Sequence, residues 1–329
     1  MNAFEYAAPK SLKEAASLLG SKWGEAEILA GGTDLVTSLK QGITSPKRVV
    51  SLRNIKDLRG IDDGRKEFRI GSMTTLGEIA ENRAVQEVFP ALVTAINGIG
   101  SPQIIGTGTI GGDLCQRPRC WYFRNGLGLL GKQGDTSLVR DGDNRYHAIF
   151  GTDGPALFVS ASSLGPVLVA LDAKIAAFGA DRQKREIPAA QFFQAPKSED
   201  ERETVLRPNE ILTEIIIPSR DAKELVNATY EVRHRHGLDW PYVTASVAYQ
   251  HLKGVLISKP QIILGHVAAT PWVAEKAAQA LEGKKINEAL AKQCGDLAAE
   301  GAKPLGGNAY KVQLVKTAVK RAVLATAKA

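Results

Sequence analysis

The short apolar run Glu27-Ile28-Leu29-Ala30 stops at Gly31-Gly32, and a helical pattern starts at once from Thr33-Asp34 through Leu35, Val36 and Leu39. A strand that turns into a helix through two glycines leaves the bend without side chains. Glycine admits φ > 0 and lets backbone N–H groups come close to a ligand. The unpaired N–H groups of the helix start, with the positive end of its dipole behind them, face the same spot. Thr33 or Asp34 is the expected cap. The segment reads either as a phosphate cradle or as a tight strand-to-helix turn in which glycine serves geometry alone.

A second glycine cluster is Gly106-Thr107-Gly108-Thr109-Ile110-Gly111-Gly112-Asp113. Gly106, Gly108 and Gly111 match G-x-G-x-x-G literally, but no helical pattern is expected after them. Cys115–Arg119 contains Pro118 and leads into an aromatic run. The unit is therefore not the βαβ turn of a nicotinamide-binding Rossmann domain. Two glycine-rich backbone surfaces remain, and together they can clasp one pyrophosphate from both sides.

A chain of 329 residues predicts two or three domains. Up to about residue 100 the pattern is a βαβ-like alternation. Ser11 is placed to cap a helix that Gly20 stops, Val49–Leu52 and Phe68–Met73 read as strands, and Thr74 opens a helix. Residues 101–155 are rich in Gly and Pro and nearly pattern-free, as functional loops are. Ile211–Ile217 is a strand closed by Pro218. Beyond it, 228–235, 242–252 and 255–267 read as three strands, the last two joined through Lys253–Gly254. Helices are expected at Trp272–Leu281, Ile286–Ala299 and Tyr310–Ala327. Strands followed by helices predict a separate α+β domain, with the boundary near residue 220.

With 44% apolar and 23% charged residues, disorder and disulfide-rich scaffolds are excluded. The +7 charge favours an anionic ligand or simply a solvated basic surface, and no nucleic-acid motif accompanies it. Three cysteines, Cys115, Cys120 and Cys294, fit a reducing compartment. The start Met1–Glu5 lacks the features of a signal peptide. The most apolar stretch, Leu164–Ala180, contains Asp172 and Lys174 and falls short of the ~20 residues that cross a membrane. His234-x-His236 has a metal-compatible spacing on one strand face but reads better as surface histidines. Asp141–Asn144 lacks the distal Glu of a calcium loop and reads as a turn. Trp121-Tyr122-Phe123 between Arg119 and Arg124 reads as an anchored loop or interface. Lys311, Lys316, Lys320 and Arg321 are expected on a solvated helix face. No catalytic triad or paired-carboxylate site stands out, so no catalytic residue and no metal ligand is assigned.

In this order the motifs resemble the FAD-binding (medium) subunit of the molybdenum hydroxylases, the xanthine dehydrogenase, carbon monoxide dehydrogenase and aldehyde oxidoreductase relatives. The branch with aldehyde oxidoreductase and 4-hydroxybenzoyl-CoA reductase looks most similar. Ala30–Asp34 resembles the first pyrophosphate loop and Gly108–Asp113 the second. Cys115–Arg124 and Asp141–Phe150 resemble the insertion of that branch. Asp239-Trp240-Pro241 and Val267–Trp272 resemble the C-terminal domain.

The resemblance implies an α+β fold: a two-subdomain FAD-binding domain of the vanillyl-alcohol-oxidase (PCMH) type over residues 1–220, with an insertion at about 115–155. A smaller α+β domain over 221–329 would hold a three-stranded antiparallel sheet with helices. It implies FAD as cofactor, held by Leu29, Ala30, Gly31, Gly32, Thr33, Asp34, Thr109, Ile110, Gly111, Gly112, Asp113 and Leu212. The partners implied are a large subunit with the molybdenum cofactor, which oxidises an aldehyde, an N-heterocycle or a similar compound, and a small subunit with [2Fe–2S] clusters. This chain would pass their electrons through FAD to an external acceptor, without a membrane span or nucleic acid. The location would be cytoplasmic, or periplasmic if a partner carries an export signal. Alternatives are a flavin-less scaffold subunit of the same complex and a free-standing flavin oxidoreductase. The chain departs from the family at Ile105 and Gly106, which replace an Arg-Asn pair, at Asp113, which replaces Asn, and at Ser163, which replaces Asp. The branch often carries a [4Fe–4S] cluster on the insertion. Such a cluster needs four thiolates, and with three cysteines none is expected in this chain.

Overall fold

The computed structural model describes residues 1–64, 66–219, 224–235, 239–252 and 256–327. The boundary expected near residue 220, the Lys253–Gly254 turn and His236 lie outside the described residues.

Three strands, β1 (Glu5–Ala7), β2 (Ala26–Leu29) and β3 (Arg48–Ser51), form a parallel sheet in the order β1-β3-β2. Parallel neighbours need crossovers. The first runs through the helix Leu12–Ser17, whose start is fixed by the Ser11 side chain accepting from the Glu14 amide. The second is the helix Leu35–Lys40 that follows the first glycine turn.

Next come β4 (Ile61–Asp63) and β5 (Glu67–Gly71). Thr75, one residue beyond the expected position, caps the helix Leu76–Glu81 with a reciprocal Glu78 contact. A five-residue helix, Ile110–Leu114, follows the second glycine turn, where the sequence pattern predicted none. One turn is too short to show a 3.6-residue period; Thr109 sets it by accepting from the Gly112 amide. The insertion is mostly irregular, with the helix Trp121–Arg124 and a small hairpin of β6 (Lys132–Gln133) and β7 (Thr136–Ser137). The strands β8 (Lys174–Gly179), β9 (Lys184–Pro188) and β10 (Glu210–Pro218) complete an antiparallel sheet ordered β4-β5-β10-β8-β9. Its apolar face, with Ile70, Ile175 and Ile215 fully buried, packs on helices that include Pro90–Gly98 and Gly165–Ala170.

The C-terminal part carries β11 (Leu225–Val232), β12 (Val243–Leu252), β13 (Leu256–Gly265) and the two-residue β14 (Trp272–Val273), all antiparallel. The sheet thus has three long strands and a short fourth at its edge. Trp272 belongs to that edge, not to a helix, and the helix behind it is only Glu275–Gln279. The helices Glu288–Ala298 and Tyr310–Thr326 cover one face, with Cys294, Val315 and Val319 at 0% exposure. Ala248 and Ile263 from this sheet lie in the core of the preceding domain, so the two parts share apolar contact.

Lys311 departs from the expected solvated face. It is buried, and its Nζ donates to the carbonyls of Tyr146, His147 and His266 at 3.1, 3.1 and 2.8 Å. An amphipathic pattern cannot show that three carbonyls from elsewhere meet one helix position. Lys316 and Lys320 pair with Asp296 and Glu288 at the surface. Among the described residues no helix is long and apolar enough to cross a membrane.

Candidate cofactor cleft

The two glycine turns meet. A Cβ on Gly31 would stand 2.1 Å from the Thr107 carbonyl oxygen and 2.9 Å from its carbon, so only glycine lets these backbones touch. Gly32 has φ 78°, the left-handed region. Around the contact lies a cleft with about 200 Å³ of open space. Ala30, Gly31, Gly32, Thr33 and Asp34 line it from one side, Thr109, Gly111 and Gly112 from the other. Leu19, Leu52, Pro208 and Leu212 add apolar lining. A smaller cavity adjoins the cleft. It shares Thr33, Asp34, Thr109, Gly112 and Gln116 with the cleft and adds Ile104, Asp113, Arg233 and Trp240.

The turns differ in their hydrogen bonding. The amides of Gly31, Gly32, Thr33 and Asp34 donate to no group among the described residues. In the second turn, Ile110 donates to the Thr74 carbonyl, Gly111 to Ser72, Gly112 to the Thr109 hydroxyl and Asp113 to the Thr109 carbonyl. Open donors therefore cluster on the first turn, where an anion can complete them. The Ser72 hydroxyl, buried and without a partner, faces the same cleft.

Asp34 stands at the cap position of its helix but makes no side-chain cap. Its carboxylate instead accepts from the Arg117 amide at 2.8 Å, Arg119 Nη1 at 2.7 Å and Arg124 Nη2 at 2.9 Å. Burial works to raise its carboxyl, and the two guanidinium groups outweigh that and hold it below the usual range. This clamp ties the start of the insertion to the first turn. Arg117 also pairs with Glu203 at 2.9 Å, and Arg202 lies over the Trp23 ring, so basic groups border the cleft.

The Asp113 carboxylate is engaged by other donors. It accepts from Ser162 Oγ at 2.5 Å, from the Leu164 amide at 3.1 Å and from Gln116 Nε2 at 2.9 Å. Burial pushes its carboxyl up to about 6, against the pull of those donors. Leu29 and Ile110 do not line either space; Ile110 lies in the core. The sequence reading missed Ser72, Trp23, Arg117 and Arg202, and it treated Arg119 and Arg124 only as flanks of an aromatic run. Their role depends on contacts with residues 83 to 90 positions away, which no local pattern carries.

The three cysteines are dispersed. Cys115 is exposed at the cleft, Cys120 lies 3.1 Å from His147 Nε2, and Cys294 is in the C-terminal core. Among the described residues no group of three or more His, Cys, Asp or Glu is placed to hold a metal.

Comparison with known proteins assigns residues 2–220 to the FAD binding domain in molybdopterin dehydrogenase and residues 228–326 to the CO dehydrogenase flavoprotein C-terminal domain. The chain is 29% identical over 324 residues to the carbon monoxide dehydrogenase medium chain of Hydrogenophaga pseudoflava, covering 97% of this chain and 96% of that one. It is 27% identical to the aldehyde oxidoreductase FAD-binding subunit PaoB of Escherichia coli, over 100% and 99% of the two chains. It superposes with a TM-score of 0.77 on the solved structure of the Hydrogenophaga pseudoflava carbon monoxide dehydrogenase that lacks the Mo-pyranopterin moiety. That match has 27% identity and covers 99% of this chain and 97% of the other.

Proposed function

The chain belongs to the family of FAD-binding subunits of molybdopterin dehydrogenases, and from that premise we propose that it holds FAD across the joined glycine turns and serves electron transfer in a heteromeric molybdenum hydroxylase. The observation that carries the reading is the set of four open amides at Gly31–Asp34, beside an unpartnered Ser72 hydroxyl and in a contact that a Cβ would block. Such a cradle suits a diphosphate.

The apolar lining at Leu52 and Leu212 suits the adenosine. The smaller cavity, with Arg233 and Trp240, suits a ring system whose N–H and C=O rim needs polar partners. Arg233 is held there by Glu231 and by the Gly98 carbonyl. Asp34 acts through its clamp: it orients the first turn and closes the cleft with the insertion. Bound FAD supplies the link between two-electron oxidation and one-electron carriers, and the chain binds and orients it.

The partners in this proposal are a large subunit with the molybdenum cofactor and a small subunit with [2Fe–2S] clusters. The substrate is oxidised on the large subunit, in the cytoplasm or, with an exported partner, in the periplasm. Purification of the assembly followed by acid extraction tests the reading. About one released FAD per chain is expected; an assembly of three polypeptides that releases none contradicts it and favours a scaffold role.

A further inference from the structure

A third cavity, with about 340 Å³ of open space, lies between the insertion and the C-terminal domain. Its walls include the aromatic rings of Trp121, Tyr146, Phe158, Trp240 and Tyr242. Tyr146 and Tyr242 stack with an interplanar angle of 9°, and Trp121 meets Tyr146 edge-on at 5.3 Å. Flat walls of this kind select a flat guest.

Three buried polar atoms on the cavity's lining residues have no partner among the described residues: His266 Nε2, Arg119 Nε and His147 Nδ1, whose ring Nε2 is taken by Cys120 Sγ at 3.1 Å. A buried polar atom without a partner is rare and costly, and a cavity beside it is where one can bind. Arg119 Nε carries a hydrogen in every state. For His266 the tautomer follows from its neighbour. Nδ1 lies 3.0 Å from Thr244 Oγ1, which has no other acceptor, so the hydroxyl donates to Nδ1 and the proton sits on Nε2. Burial and the nearby Lys311 and Arg233 charges lower its pKa to about 3, which keeps the ring neutral.

His266 is also held in a rare backbone conformation, φ 62°, for which a non-glycine residue is strained. Lys311 Nζ grips its carbonyl and Thr244 its ring, so the strain is maintained by specific contacts. The one carboxylate on the wall, Asp239, is paired with Arg235 at 3.1 Å. The wall's carboxylate is thus taken, while His266 and Arg119 each keep an unused N–H donor.

We propose that this aromatic cavity is a binding site for a planar ring carrying carbonyl oxygens on its rim, of the quinone class, with His266 Nε2–H and Arg119 Nε–H as the donors that receive those oxygens. Arg119, Asp239, Trp240 and Pro241 line both this cavity and the small one assigned above to the flavin ring, so the guest would lie next to it; that neighbourhood alone rests on the proposed FAD site.

The test is titration of the purified assembly with menadione, read by tryptophan fluorescence and calorimetry, alongside methylnaphthalene and naphthoate. Saturable binding of menadione at one site per chain is expected, at least about tenfold tighter than methylnaphthalene, the loss expected when buried donors are left unpaired. His266→Ala and Tyr242→Ala should each weaken it about tenfold or more while released FAD stays at the wild-type level. Equal affinity for menadione and methylnaphthalene, tighter binding of naphthoate, or wild-type affinity in both variants overturns the proposal. A wild-type assembly that releases no FAD yet binds menadione as expected would instead count against the flavin site and leave this one standing.

Discussion

The two glycine turns look alike in sequence and touch in space, yet their backbones are in opposite states. At Gly31–Asp34 four successive amides are open. At Ile110–Asp113 every amide already has a partner: the Thr74 and Ser72 carbonyls, the Thr109 hydroxyl or the Thr109 carbonyl. The first turn is a receptor, and the second is a wall that presses on it through Thr107 and Gly108. Two glycine-rich bends in one site need not do the same work. Which one binds is decided by where their hydrogen bonds already go.

Substitutions can break that contrast. The largest effect is expected for Gly31→Ala, because the added Cβ meets the rigid Thr107 carbonyl. Overpacking of this kind costs about 3 kcal/mol or more, and the ratio of flavin to protein absorbance should fall close to zero. Next is Asp34→Ala, which leaves Arg119 and Arg124, only 26% and 14% exposed, without their counter-charge. A loss of about 2 kcal/mol in urea unfolding is expected, below the figure for fully buried pairs because water still reaches them. Faster proteolysis of the insertion should accompany it.

Gly111→Ala sharpens the contrast. Its Cβ would stand 2.9 Å from Ser72 Cβ and carbonyl oxygen and strain the turn by about 1–2 kcal/mol. The folded fraction should keep FAD within about threefold of wild-type affinity, since the Gly111 amide and its neighbours at 110–113 are already engaged.

The smallest effect at neutral pH is expected for Asp113→Asn. Its carboxyl titrates near 6 in the folded chain against 3.8 as the ordinary value. The folded state therefore holds the extra proton between those values, and stability should fall as pH rises from about 4 to 6 and level off above. Melting curves across that range should show the slope in the wild-type chain and a shallower one in the variant, with flavin content unchanged.

Much of the architecture was legible because it is written locally. The Ser11 cap, the double-glycine bend and the alternation in β5 need only neighbours in sequence. The one-turn helix after Thr109 escaped because five residues show no period, and Trp272 was misread because a two-residue edge strand shows none either. The site was half legible. Glycine marks where backbones bend or approach, so both turns could be found. Neither the engagement of the second turn by Ser72 and Thr74 nor the diversion of Asp34 from helix cap to arginine clamp has a local signature. Lys311 shows the same limit: its sequence position suggests a surface, and three distant carbonyls put it in the interior.

Hydrogen–deuterium exchange of the purified protein, with and without saturating FAD, tests the division between the turns most directly. The amides of residues 31–34 should exchange fast without FAD and become strongly protected with it, while those of 110–113 should be slow in both states. Unchanged exchange at 31–34 under saturating FAD, or protection that arises mainly at 110–113, would contradict the account.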